Sequence, residues 1–311
     1  MMKKIIKKVM TVATILVGLC SLSGCDNDAS RSKRQEEKET YAVSVDVLSV
    51  KKDVVYEKDG VEITIKGMEY GYLGPEINYV VKNDSDKEIC VQVRNSSVNG
   101  IVVDFSASTI VEPGEESELE PIYIHEEELL KKDITVIDDI EFVFCVFDNN
   151  KKYSMGFYAY KCSDIVKLSF KNKGYEQEIK EGEVIYNSDD VTVSAIGIVE
   201  SPFDHYHKDA IQLYVENKTG KDIELDLPGE ISINGNTIGT YYTCFLEDGI
   251  IPAGKGSYVE VCVWENHFPE DETMKSFELL FYATRYEIGD AGEKYTPENV
   301  FKTDKFGYEF K

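Results

Sequence analysis

Asp204-His205-Tyr206-His207-Lys208-Asp209 sets two imidazoles two residues apart between carboxylates. On a strand that spacing puts His205 and His207 on one face, where the flanking acids complete the donor set of a zinc site. The plainer reading is an exposed polar loop. It is favoured because the stretch is an insertion, and the loop corresponding to it in the repeat described below, Glu69 to Glu76, has no histidine. Cys244 and Cys262 stand symmetrically about Ala253 in the turn Pro252-Ala253-Gly254. A hairpin there brings them opposite each other, close enough for a disulfide, with buried thiols as the simpler alternative. Beyond Cys20 and Cys25 the chain has five cysteines (Cys90, Cys145, Cys162, Cys244, Cys262), an odd number that cannot all pair internally. Cys25 follows Leu22-Ser23-Gly24, small residues that let a peptidase reach the backbone beside a thiol nucleophile.

The segment before Cys25 has a basic start (Lys3, Lys4, Lys7, Lys8) and an apolar run from Val9 to Leu22. A spanning helix needs about 20 apolar residues, and this run is too short for one. It resembles a bacterial lipoprotein signal peptide ending in a lipobox. The resemblance implies that residues 1–24 are removed and that Cys25 carries a diacylglyceryl group. The membrane is then a partner through that lipid, and the protein sits on the extracytoplasmic face of the bacterial cell membrane. Two acyl chains on one cysteine hold far better than one, so the folded part needs no membrane-binding surface. Residues 25–40 (Asp26 to Thr40 being DNDASRSKRQEEKET) are polar and read as a flexible tether. The chain has 34 basic and 58 acidic residues, net −24, and losing the four signal lysines makes it −28. Such a surface repels nucleic acid and anionic headgroups.

Beyond the tether the chain is written twice. Asp59-Gly60-Val61-Glu62-Ile63 is echoed by Asp189-Asp190-Val191-Thr192-Val193, and Val81-Lys82-Asn83 by Val215-Glu216-Asn217. Lys87-Glu88-Ile89 matches Lys221-Asp222-Ile223, Val98-Asn99-Gly100 matches Ile233-Asn234-Gly235, and Pro113-Gly114 falls with Ala253-Gly254. Glu141-Phe142-Val143-Phe144 matches Glu278-Leu279-Leu280-Phe281, and Gly156-Phe157-Tyr158 is set against Gly307-Tyr308-Glu309. A repeat this long means two whole domains rather than a solenoid. Within each, apolar residues alternate with polar ones (Val61, Ile63, Ile65; Ile89, Val91, Val93; Ile223, Leu225, Leu227), the pattern of strands covered on one face. Turn pairs such as Asn99-Gly100 and Asn234-Gly235 separate the runs. One helix is expected, at Glu126 to Lys132. The opening strands are expected at Val43 to Val50 and at Ile165 to Phe170, which puts the domains at 41–163 and 164–311.

The order of these motifs resembles the repeated immunoglobulin-like domain of uncharacterised Firmicute cell-surface lipoproteins. The resemblance implies an all-β fold of two tandem immunoglobulin-like β-sandwiches, and no chemistry. No nucleophile elbow, phosphate loop, dinucleotide fingerprint or H-E-x-x-H is present, and the acidic clusters lack calcium-loop spacing. No enzyme activity and no cofactor are therefore expected. The expectation is a non-enzymatic binding module for a cell-envelope protein or glycan. Twenty tyrosines and the single Trp264 could stack on sugars, although strands favour tyrosine in any case. The alternatives are an accessory protein holding a ligand or metal in the interdomain cleft or at His205 and His207, and, behind it, an envelope hydrolase with an unrecognised carboxylate pair.

Overall fold

A computed structural model describes residues 42–149, 161–170, 175–201, 206–227, 230–239, 243–246, 250–288 and 295–311. The first repeat supplies β1 (Asp53–Lys58), β2 (Val61–Tyr70), β3 (Pro75–Asn83), β4 (Ile89–Val98), β5 (Ile101–Val102), β6 (Phe105–Ser106), β7 (Ser108–Val111), β8 (Glu120–Ile124), β9 (Asp139–Asp148), β10 (Lys161–Cys162) and β11 (Val166–Ser169). The second supplies β12 (Glu183–Asn187), β13 (Val191–Glu200), β14 (Asp209–Asn217), β15 (Glu224–Asp226), β16 (Glu230–Ile233) and β17 (Asn236–Gly239). It continues with β18 (Thr243–Leu246), β19 (Gly256–Val263), β20 (Ser276–Leu279), β21 (Tyr282–Ile288), β22 (Tyr295–Lys302) and β23 (Phe306–Glu309). The expected helix is present as α1 (Glu126–Lys131), with three glutamates in its first turn and Lys131 in its last, matching the helix dipole.

In the first sandwich β1-β2-β3-β8-β6 form one sheet, and β4 and β9 lead the other. The alternating residues named above meet between them: Ile63, Ile65, Ile77, Tyr79 and Val81 pack with Val91, Val93, Phe142 and Phe144. Tyr79 leans on Phe144 with ring centroids 5.2 Å apart and shares a 2.6 Å hydrogen bond with Thr109. Burial pushes its phenol up to about 12. The second repeat rebuilds this plan, with β12-β13-β14-β19 pairing in series and β18 on β19. Its facing layer is divided into β15-β21-β22 and β17-β16-β20-β23.

The duplication extends to single hydrogen bonds. A bulge falls between Val54 and Tyr56 in one repeat and between Val184 and Tyr186 in the other. Asn83 Nδ2 donates to Lys87 O, Val111 O and Glu112 O at 2.7, 2.9 and 3.1 Å. Asn217 Nδ2 donates to Lys221 O, Ile251 O and Pro252 O at 2.8, 2.9 and 3.1 Å. Asn99 Oδ1 accepts from the N–H groups of Asp138 and Asp139, as Asn234 Oδ1 does from Lys275 and Ser276. In both turns Asn and Gly take positive φ, 51° and 80° in one and 50° and 79° in the other, which a two-residue hairpin of this hand requires.

Three expectations are corrected. Val43 to Val50 is not a strand: Ser44 makes one bridge to Val136, and Val47–Ser49 form a 3-10 turn. Ile165 to Phe170 does not open the second domain, because β11 pairs antiparallel with β9, Val166 opposite Phe142. The first sandwich therefore runs past 163 to Phe170. The match proposed for 156–158 lies outside the described residues, and the hydrogen bonds set a different register. Ser163 Oγ accepts from Phe144 N as Thr303 Oγ1 does from Phe281 N, so β11 corresponds to β23. In β23, Phe306 lies opposite Leu279.

The two sandwiches are fused. β5 pairs in parallel with β19 through Ile101 and Gly256, and Gly256 N donates to Gly100 O at 3.0 Å, making one continuous sheet. Val102 of the first repeat is buried in the second core, and Tyr258 of the second in the first. Lys255 Nζ reaches Glu141 Oε2 at 2.6 Å, and Asn95 Nδ2 donates to Asp222 Oδ2 at 2.8 Å.

Candidate functional site

Cys25 and His205 lie outside the described residues. His207 is not available to a metal. It is 2% exposed, its Nδ1 accepts from Asp209 N at 3.1 Å, and its Nε2 sits 3.1 Å from Pro269 O. Accepting at Nδ1 puts the ring proton on Nε2, which donates to that carbonyl, so neither nitrogen keeps a lone pair for zinc. The ring also meets Phe268 edge to face at 5.0 Å. His207 is a structural pin for the 265–272 segment. Among the described residues no group of three His, Cys, Asp or Glu is arranged to hold a metal ion.

Cys244 does lie opposite Cys262 in the β18–β19 register. The possible bridge there is not formed, and the simpler alternative holds for Cys262: it is a buried thiol, and its sulfur takes a hydrogen bond from Ser201 Oγ at 3.9 Å. Cys90 is likewise a buried thiol, raised by burial above the ordinary thiol value, with a weaker opposing hydrogen bond from Ser108. The disulfide involves Cys145 instead, whose cross-strand neighbour in the β9–β10 ladder is Cys162.

The acidic clusters have structural duties. Glu126 Oε1 accepts from Val43 N at 3.0 Å, and Glu272 Oε1 accepts from Asn234 Nδ2 at 2.7 Å. Glu141 is held by two ammoniums, Lys167 at 2.5 Å and Lys255 at 2.6 Å. Burial works to raise its carboxyl, and the two lysines outweigh it, leaving it below the ordinary value. Glu260 goes the other way, raised by burial against Gln212 and the surrounding lysines.

Besides a cavity of about 220 Å³ between the sandwiches, lined by Arg94, Asn95, Val102 and Ile250, two concave surfaces stand out among the described residues. One, of about 610 Å³, is lined by Tyr206, His207, Glu200, Glu265, Glu270 and Asp271. Beside it Trp264 is 46% exposed and meets the Tyr206 ring edge-on at 6.1 Å. The other is a cleft of about 420 Å³ in the first sandwich, between Ser49–Val55 and Asp164–Phe170. It runs along the seam between β1 and β11, which end opposite sheets. Val54, Val55, Ile65, Val166 and Leu168 line it, and Lys51, Lys52, Asp53, Asp164 and Lys167 are its charged members.

No family model matches the chain, and no curated protein does. Among solved structures the chain is similar to the Salmonella enterica SafA pilin in complex with the SafB chaperone, at 12% identity. That alignment covers 82% of this chain and 98% of that one, with a TM-score of 0.24. It is also similar to a conserved domain protein from Bacillus anthracis at 10% identity, covering 88% of this chain and 94% of that one, with a TM-score of 0.22. The sandwich fold is read from the sheets and cores described above.

Sequence reasoning missed the seam, because nothing in Val166-Lys167-Leu168 says which sheet it joins. The signal that could have found it is the repeat itself: once Val166 and Leu168 are aligned with Phe306 and Tyr308, the loss of two rings is visible.

Proposed function

We propose that this chain is a lipid-anchored, extracytoplasmic, non-enzymatic binding protein of a bacterial envelope, its partner an envelope protein or glycan. The observation that carries the reading is the Cys145 disulfide. Reducing compartments keep such pairs as thiols, whereas the space outside the cell membrane lets them persist. This agrees with Leu22-Ser23-Gly24-Cys25, the basic and apolar run before it and the acidic surface. In this reading the Cys25 lipid carries the attachment; among the described residues no helix is long and apolar enough to cross a membrane.

Glu126, Glu272, Glu141, Lys167, Lys255 and His207 are engaged in holding the fold, which supports a structural rather than a chemical role for those side chains. Val102, Tyr258 and the Lys255–Glu141 pair fill part of the junction between the sandwiches, a cavity of about 220 Å³ stays open there between residues 92–96, residues 102–104 and Ile250, and His207 is engaged at both nitrogens. Radiolabelled palmitate fed to cells should mark the wild-type protein and leave Cys25→Ser unmarked and released from the membrane fraction. Equal labelling of the two would refute the anchor. A glycan partner would be read at Trp264, the sole tryptophan and partly exposed, by quenching or enhancement of its fluorescence with cell-wall oligosaccharides.

A further inference from the structure

We infer that the β1–β11 seam of the first sandwich is a docking groove for an extended, acidic, aromatic-bearing peptide segment of a partner protein. This rests on the binding reading above and names the site and the chemistry of its occupant. The second repeat shows what a filled seam looks like. There Tyr186 lies against Phe306 with centroids 5.3 Å apart, and Tyr308 Oη donates to Glu183 Oε2 at 3.2 Å. Phe306 packs edge-on against Phe281 at 5.7 Å, and Tyr308 against Phe310 at 5.1 Å. The registers equate Glu183 with Asp53, Phe306 with Val166 and Tyr308 with Leu168. The first repeat thus keeps the strands and omits the two rings and the longer acid that close the gap. Its cleft is the space those groups would take.

Both walls offer backbone as well as side chains. The ladder neighbour of β1 is β2, and that of β11 is β9, so the outer edge of each strand is unladdered among the described residues. A peptide strand added to such an edge gains main-chain hydrogen bonds, and alternate side chains drop into the groove. Apolar side chains stand ready at the walls: Val54 is 46% exposed and Ile165 67%. Charge selects the partner. In a chain of net −24, Lys51 and Lys52 sit together on the lip of this groove, both exposed and neither in an ion pair among the described residues. Lys167 is already taken by Glu141 and Asp139, and Asp53 and Asp164 are the two opposing acids. An acidic strand with bulky apolar residues at every second position satisfies both the lip and the gap.

The test is fluorescence anisotropy on the detergent-solubilised full-length protein, with labelled octapeptides that alternate glutamate with phenylalanine and tyrosine. The same peptides with lysine for glutamate are the control. Wild type should bind the acidic set, more weakly as salt rises, and the lysine set at least about tenfold less tightly. Asp53→Glu with Leu168→Tyr restores the longer acid and the ring that bonds it in the closed seam, and should cost at least about tenfold in affinity. Lys51→Glu with Lys52→Glu changes only exposed residues, so it keeps the test open if the first variant misfolds, and it should lose binding similarly. No binding to wild type at about 1 mM peptide, or wild-type affinity in either folded variant, overturns the proposal. Palmitate labelling of Cys25 reads the anchor independently, so failure of one leaves the other standing.

Discussion

Asn217→Ala should be among the most damaging single substitutions in the second sandwich, and its cost can be worked from the structure. Asn217 is fully buried and makes five hydrogen bonds: three from Nδ2, and two accepted by Oδ1 from Thr219 N at 3.0 Å and Thr219 Oγ1 at 2.7 Å. The amide carries two protons shared among three carbonyls, of which Ile251 O and Pro252 O keep second donors in Ile223 N and Lys255 N, and Lys221 O can take the Thr219 hydroxyl proton that Asn217 Oδ1 releases. Their loss is therefore the net value of two hydrogen bonds, about 1 kcal/mol each. Thr219 N loses its side-chain acceptor, and being part-buried it adds about 1 kcal/mol, the lower end of the penalty for an unmet donor. The sum is about 3 kcal/mol, a large share of the 5–15 kcal/mol or so that holds a domain folded. Asn83→Ala removes the matching set in the first sandwich and should cost a similar amount. Urea unfolding followed by circular dichroism gives both values, and Trp264 fluorescence reports on the second sandwich separately. A loss under about 1 kcal/mol in both variants would refute the claim that these asparagines hold the repeats together.

Lys255→Glu combined with Gly256→Glu should uncouple the two sandwiches so that they unfold in two separate transitions, since it replaces the cation on Glu141 with a carboxylate and a Cβ on Gly256 would collide with the Tyr214 hydroxyl. Glu141 titrates below the ordinary carboxylate value of 4.5, so its contribution is complete above that pH and is lost as pH falls through the lowered folded value. Acid unfolding below about pH 4.5 should therefore lose part of its pH dependence in Glu141→Gln, read from unfolding midpoints as the pH is lowered. Cys145→Ser should lower stability by about 2–4 kcal/mol and abolish the effect of reductant on the wild-type midpoint.

What could be read from the sequence was whatever repeats locally. Val61-Glu62-Ile63-Thr64-Ile65 declares its buried face by alternation, and Asn99-Gly100 declares its turn by the φ values only those residues take cheaply. Asn83 and Asn217 were visible as matched anchors, though not as plugs, because their acceptors lie up to 35 residues away. The readings that failed each depended on a remote partner. Val166 and Leu168 alternate correctly for either sandwich, and only pairing with β9 assigns them. His207 carries the spacing of a ligand, yet Pro269 decides what its Nε2 does. Cys262 has a cysteine opposite in register and still remains a thiol, while the disulfide falls on Cys145, across an interval that sequence spacing gave no reason to prefer.

Duplicated chains carry their own control, because the two copies began with the same residues. Positions that agree, such as Asn83 with Asn217, Asn99 with Asn234 and Ser163 with Thr303, all satisfy backbone groups and serve the fold. Positions that disagree fall where the copies do different work. Gly114-Glu115-Glu116 in the first becomes Gly254-Lys255-Gly256 in the second. Asn83 N donates to Glu115 O and Asn217 N to Lys255 O, so the registers are the same. Two exposed acids have been exchanged for the cation that grips Glu141 and the glycine that lets two strands touch. That exchange gives the second copy a surface that meets the first. The seam differs in the opposite sense: the second copy fills it with its own rings, and the first keeps it open. Fusion and opening therefore fall at different positions of one shared plan: the first at Lys255 and Gly256, the second at Val166 and Leu168.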